Sequence, residues 1–289
     1  MKGLKYAGGS VPGTDHTMPG KPGWKNNQDA FGWHSQDGCL VAVACDGCGD
    51  SPHSEVGAQL AARFAPRVVA RVFDSRVHAD WARLEVPTNA MGLVQTDILN
   101  RIAGTAEVMS GNRYGSAFAE VVRDYFLFTM VGVVMTPKRT FIFSAGDGVY
   151  AVNGETVVIP PFEKNEPPYI AYGLVPTSIN RALLGFQIRE KVRTEDVSSI
   201  MLGSDGVAHL IAAADQHLPG KEKLVGPISQ FWTKDLFVEN PDAIRRHLAL
   251  VNLETVDRSG EVPRIKQGLL PDDTTLVVIR RKEEEATNA

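Results

Sequence analysis

The sequence predicts an α+β fold in which antiparallel sheets pack against helices. Three observations carry that expectation. The pairs Asp37-Gly38 and Asn153-Gly154 each separate two apolar runs, which is among the strongest short signals of a β-hairpin. The run 40–45 is apolar without a polar gap and too short for a typical helix, so it reads as a strand buried on both faces. Helix-period stripes follow Ser54 and follow the cap-like start Asn240-Pro241-Asp242.

Taken in order, residues 8–27 are rich in Gly, Pro and Asn and read as an irregular lead-in. Strands are expected at 29–35 and 39–45. If Asp37-Gly38 forms a two-residue loop, facing positions sum to 75, which sets Asp29 opposite Asp46. A helix from Ser54 should bury Val56, Leu60 and Phe64, be disturbed at Pro66 and resume to Phe73. Residues 74–89 are mixed, and a weaker helical pattern covers 90–108. From Gly115 the texture reads as β, with strands at 116–122, 125–135 and 139–145 and a hairpin over 149–159.

Five prolines make 160–180 an irregular connection. Strands at 185–193 and 199–203 come next, then short helices after Asp205 and over 223–233. The helix begun at Asn240 should bury Ile244, Leu248 and Val251. Residues 255–271 read as loop, 274–281 as a final strand, and 282–289 as a charged tail. With no internal repeat or linker, the expectation is one domain over 1–289.

Composition narrows the function classes. An apolar fraction of 43% and a charged fraction of 22% are those of a globular protein. A net charge of −4 argues against a nucleic-acid partner, which calls for a basic surface. The N-terminus lacks the apolar core of a signal peptide, and no run approaches a membrane span. Three cysteines, Cys39, Cys45 and Cys48, fall within ten residues and do not form a disulfide framework, which points to the cytoplasm.

The chemistry lies in a repeated pattern of strand ends. Asp46-Gly47, Asp147-Gly148 and Asp205-Gly206 each close an apolar run, and Asp272-Asp273 opens one. Singly, Asp and Gly mark turns, because Asp bonds nearby backbone and Gly tolerates positive φ. Together with Asp29, four such ends place acids at one rim of a sheet. Carboxylates without His or Cys suit hard divalent ions such as Mg²⁺ or Mn²⁺. Two such ions activate water and clamp an in-line displacement at phosphorus.

In order and rough spacing, Asn26-Asn27-Gln28-Asp29-Ala30, Asp46-Gly47-Cys48-Gly49, Gly115-Ser116, Gly146-Asp147-Gly148, Ser204-Asp205-Gly206 and Asp272-Asp273-Thr274-Thr275 resemble the metal-dependent protein phosphatases of type 2C (PPM), including bacterial members. The likeness spans about residues 20–281. It implies a four-layer α-β-β-α sandwich with two central antiparallel sheets. It also implies hydrolysis of phosphoserine or phosphothreonine by a hydroxide shared between two Mn²⁺ or Mg²⁺ ions. By motif, Asp46 bridges the ions with the Gly47 carbonyl on one of them. Asp205 and Asp272 hold the other, Asp29 orients water, and Asp147 with Asp205 sits where many members bind a third ion. Asp273 falls where members usually have a residue that is not a ligand.

Three positions depart from the family pattern. The substrate-gripping Arg is replaced by Trp24, leaving Lys25 beside it as the phosphate-binding candidate. Cys48 stands where some members have a general acid, and His209 where some have a further acid. Cys45 and Cys48 also form a Cys-x-x-Cys, but the Gly-rich continuation fits a redox helix poorly, and zinc would need two more ligands than His53 offers. The expected partners are a phosphorylated protein and a cognate Ser/Thr kinase, with the chain a monomer and no membrane involved. The alternative is a catalytically weak, phosphatase-like binding or regulatory module.

Overall fold

Residues 40–45 do lie in the middle of a sheet, buried on both faces. The computed structural model describes residues 3–17, 26–36, 38–73, 88–163, 166–259 and 262–282. It begins with β1 (Leu4–Val11) and the single turn α1 (Thr14–Thr17), followed by the hairpin β2 (Ala30–Gln36) and β3 (Cys39–Gly47). Three helices follow: α2 (Ser54–Val72), α3 (Thr88–Ser110) and α4 (Ser116–Tyr125). The chain then returns to strands, β4 (Phe128–Met135), β5 (Arg139–Ala145), β6 (Gly148–Val152) and β7 (Glu155–Ile159). Beyond the long connection come β8 (Gln187–Arg193) and β9 (Ser199–Gly203). The last third holds α5 (Gly206–Ala212), α6 (Gln230–Thr233), α7 (Asp235–Glu239), α8 (Ala243–Val251), a ribbon of β10 (Thr255–Asp257) and β11 (Arg264–Lys266), and β12 (Thr274–Arg281).

Two five-stranded antiparallel sheets result, ordered β2-β3-β4-β5-β8 and β1-β12-β9-β6-β7. Alternation along a strand explains how they stack. On β3, Leu40, Ala42 and Ala44 meet Val277 and Leu202 of the other sheet, while Val41, Val43 and Cys45 face α2, α3 and α4. A third core joins Leu276, Val278 and Met201 to α5–α8. The layers are therefore helix, sheet, sheet, helix, the expected α-β-β-α sandwich. No helix among the described residues is long and apolar enough to cross a membrane.

The hairpin register is the expected one: Ala30 faces Cys45 and Gln36 faces Cys39. Asp37 itself lies outside the described residues. In the second hairpin Asn153 and Gly154 both take positive φ, 52° and 95°, as the tight turn requires.

Several elements differ from expectation, each for a physical reason. Residues 116–122 form helix α4, because Phe118 and Val122, one turn apart, are its buried residues. β1 runs into the start of the 8–27 stretch read as irregular, pairing with β12 from Leu4↔Arg281 to Val11↔Thr274. Its glycines hide it from propensity, yet they are needed: a Cβ on Gly8 would sit 2.6 Å from the Phe31 ring, and one on Gly9 2.5 Å from the Arg245 backbone. Residues 255–271 include the ribbon β10–β11, and in 223–233 only α6 is helical.

Helix α2 is continuous through Pro66, and its buried face is not the one marked by large side chains. Gly57, Ala58, Ala61, Ala62 and Ala65 face the sheet, whereas Leu60 is 38% exposed. Small residues win because the backbone must approach closely; a Cβ on Gly32 would lie 2.0 Å from the Ala62 carbonyl oxygen. Ala62→Leu should therefore cost about 1–3 kcal/mol by overpacking, while Leu60→Ala should stay within about 0.5 kcal/mol of the parent. Urea denaturation of the two variants checks this, and the reverse order would refute the assigned face.

Candidate metal centre

The acids gather at one end of the sandwich, at the mouth between the two sheets. Asp46 follows Leu40, Ala42 and Ala44 in parity and so points toward the inter-sheet side, opposite Thr129 of β4. Asp205 stands between β9 and α5, Asp147 in the turn from β5 to β6, and Asp272 just before β12. Asp29 precedes β2, where the hairpin continues by one bond, Gly47 N–H to the Gln28 carbonyl at 3.2 Å.

Electrostatics shows how closely they converge. The Asp46 carboxyl is held well above the ordinary carboxylate range, first by burial and then by Asp205, Asp29, Asp272 and Asp147. Asp29 is raised likewise, by burial and then by Asp273, against the lowering bond from Ser204. Asp205 is pushed up to about 6 by burial, Asp272 and Asp147, although a hydrogen bond with Asp46 works against the rise. Burial also raises Asp147, and raises Asp272 despite the nearby His16 and His209. The strongest influences on Asp46 are thus burial and four other acids.

The acids are held in place by groups that motif spacing alone does not reveal. The Ser204 hydroxyl donates to Asp29 Oδ2 at 2.6 Å and accepts from the Thr275 amide at 3.0 Å, joining the two sheets. Asp273, only 2% exposed, accepts from the amides of Gly13 at 2.7 Å and Gln28 at 2.5 Å, and lies 2.9 Å from His16 Nδ1. It is a clamp between β12, the end of β1 and the approach to β2. Gln28 Nε2 donates to Ser54 Oγ at 2.6 Å and to the carbonyls of Cys48 and Ser51, which fixes the loop after β3. The only signal for Ser204 and Asp273 was their adjacency to Asp205 and Asp272.

Gly47 has a protein reason as well as a ligand one. A Cβ there would lie 2.7 Å from Ser54 Oγ and 2.8 Å from the Gln28 carbonyl. Cys45 is buried, with its thiol pushed far up by burial, and behaves as core. Cys48 is half-buried, and Tyr169, whose hydroxyl pKa is held up first by burial, also feels Cys48 and Asp46. Sequence reasoning missed Tyr169. It lies in the 160–180 connection, which the structure ties down through buried Ile170, Ala171 and Val175. His53 stacks on Tyr125 with centroids 4.9 Å apart, and His209 is exposed on α5. Trp24 and Lys25 lie outside the described residues.

Among the described residues no group of three or more His, Cys, Asp or Glu is arranged so that it could hold a metal ion as it stands. The donor set nevertheless fits one: ionised carboxylates only accept, their charge is unbalanced, and Asp29 Oδ1 is buried with no hydrogen-bond partner. Burial and the neighbouring acids together raise these carboxyls, so a bound cation would relieve both.

Comparison with known proteins adds the decisive observation. The model of the family Protein phosphatase 2C matches residues 13–248, most of the chain. The chain belongs to the protein phosphatase 2C family. It is by that membership a phosphoprotein phosphatase, a hydrolase of phosphoric monoesters. No curated protein matches it. Among solved structures, a C. elegans sex-determining protein is similar at 12% identity, covering 97% of this chain and 65% of that one, with a TM-score of 0.52. The serine/threonine phosphatase Stp1 from Staphylococcus aureus is similar at 15% identity over 96% and 94% of the two chains, with a TM-score of 0.46. The catalytic domain of the serine/threonine protein phosphatase PstP, solved with two manganese ions, is similar at 14% identity over 96% and 97%, with a TM-score of 0.41. Such identities speak for the fold alone.

The raised acids give this phosphatase a definite pH signature in the absence of metal. Between about pH 4, the ordinary carboxylate range, and neutrality, the folded state binds more protons than the unfolded chain. Stability contributed by the protonated acids is fully present at low pH and is lost as pH rises. Metal-free protein should therefore show a melting temperature that falls toward neutral pH, with a shallower fall in Asp46→Asn. His247, buried with its pKa lowered, acts in the opposite sense but equally in both proteins. An equal or steeper fall in the variant would contradict the repulsion.

Proposed function

We propose that this phosphatase hydrolyses phosphoserine and phosphothreonine in protein substrates with two Mn²⁺ or Mg²⁺ ions held among its carboxylates. The observation that supports the reading is the convergence of Asp29, Asp147, Asp205 and Asp272 on Asp46, with no cation among the strongest influences on it. Asp46 and the Gly47 carbonyl would hold the ions from β3, Asp205 and Asp272 from the second sheet, and Asp147 with Asp205 a third ion. When bound, such ions neutralise the acids, activate water near neutral pH and stabilise an in-line displacement at phosphorus.

The chain's own residues supply orientation. Ser204 occupies one oxygen of Asp29 and leaves Oδ1, without a hydrogen-bond partner among the described residues, to orient the attacking water. Lys25 is proposed to grip the substrate phosphate as a point charge, in place of the forked contact of an arginine. Since Cys48 replaces an acid after Gly47, the departing alkoxide takes its proton from water. We take the chain as one catalytic domain, working as a cytoplasmic monomer opposite a Ser/Thr kinase in signalling. Cys39, Cys45 and Cys48, none of them in a disulfide among the described residues, support a reducing compartment.

An aryl phosphate assay with metal titration tests this. Turnover should require Mn²⁺ or Mg²⁺ and vanish in Asp46→Asn and Asp205→Asn, with both variants still folded by melting and weakened in calorimetric Mn²⁺ binding. Ser204→Ala should lose about 10–100-fold, the usual effect of removing a group that orients a ligand. Metal-independent turnover, or parental rates in both Asp variants, would refute the assignment. Tight Mn²⁺ binding without any turnover would instead favour the regulatory module.

A further inference from the structure

β2 is the last strand of its sheet, so among the described residues its outer edge has no strand partner. A groove of about 370 Å³ lies at this edge, lined by Phe31, Trp33, Gln59, Ala62, Arg63 and Arg67 among others. Its two walls differ in chemistry. Phe31 and Trp33 share the parity of Asp29; Trp33 packs edge-on to Tyr6 at 5.3 Å yet remains 39% exposed. The other wall is α2, brought onto the strand by the contact of Gly32 with Ala62.

Arg63 and Arg67 lie one turn apart on that helix, both exposed. Arg67 donates to the Arg63 carbonyl at 3.2 Å, and neither guanidinium pairs with an acid among the described residues. Arg71, the next in the series, is taken by Asp97, which also receives Arg101. Glu55 is two turns away on the same helix stripe, and His34 follows Trp33 on β2. In a chain of net charge −4, two cations without an acidic partner among the described residues, beside an aromatic wall and a strand edge unpaired among those residues, form a distinct surface.

We infer that this groove docks an extended, acidic segment of the phosphoprotein substrate. An extended peptide adds to a free edge through backbone hydrogen bonds, with alternate side chains reading the two walls. Asp or Glu on one side meets the forked guanidinium donors, and apolar groups on the other cover Trp33. β2 starts beside Asp29, and a strand advances about 3.3 Å per residue, so the acidic residues fall about two to four positions from the phosphorylated one. The inference rests on the phosphatase reading, and binding and turnover are read separately.

The test compares a fluorescent acidic peptide, its lysine-substituted counterpart and the corresponding phosphopeptides, using the parent and an Arg63→Ala/Arg67→Ala variant. The parent should bind the acidic peptide in preference to the lysine one, and the variant should lose about tenfold or more of that affinity. For the acidic phosphopeptide KM should rise by a similar factor, with kcat and aryl phosphate turnover unchanged. A parent without the preference, a variant that keeps it, or equal binding of a single-stranded oligonucleotide by the parent would overturn the docking site. Loss of peptide binding in the variant, with no turnover by either protein, would uphold the groove and refute the phosphatase reading alone.

Discussion

The fold brings five carboxylates to one mouth and must hold them there against their own repulsion. Asp273 is the contact on which that depends. Buried and accepting two backbone amides, from Gly13 and Gln28, it ties the start of β12 to the end of β1 and to the residue before Asp29. Charge-assisted bonds of this kind are worth about 1.5–3 kcal/mol each. Ser204 adds a second tie between the sheets, through Asp29 and the Thr275 amide. The acid that is not expected to bind metal thus positions those that are.

The same end of the sandwich also explains the dense glycine and small-residue usage. Gly47, like the alanine face of α2, lets backbone meet backbone where any larger residue would push the layers apart. Close packing of α2 on β2 serves two purposes. It completes the helix–sheet core, and it carries Arg63 and Arg67 to the edge of a strand that begins at the acid cluster. The acid cluster and the groove proposed for docking are then successive stretches of one strand.

Much of this was legible from local pattern. The buried run 40–45, the register that sets Asp29 against Asp46, the Asn153-Gly154 turn and the recurrence of Asp-Gly at strand ends all survive in the structure. They are legible because alternation and turn chemistry act over a few residues. The misreadings share a cause. β1 has two glycines and pairs only with β12, about 270 residues away, so nothing local marks it. The stripe Val56, Leu60 and Phe64 has larger side chains than the alanine face, but separation between layers, not hydrophobicity, chose the face.

By itself the sequence determined which acids end strands and which strands pair in hairpins, and from their chemistry came the expectation of an oxygen-seeking divalent ion. Those are properties of neighbours along the chain and of side-chain chemistry. Only the tertiary structure decided that the strand ends meet, that Asp273 and Ser204 hold them, that Tyr169 comes near Cys48, and that two arginines flank an edge unpaired among the described residues. Each joins residues from about 30 to 260 positions apart, and such contacts exist only once two sheets have stacked and buried their shared core.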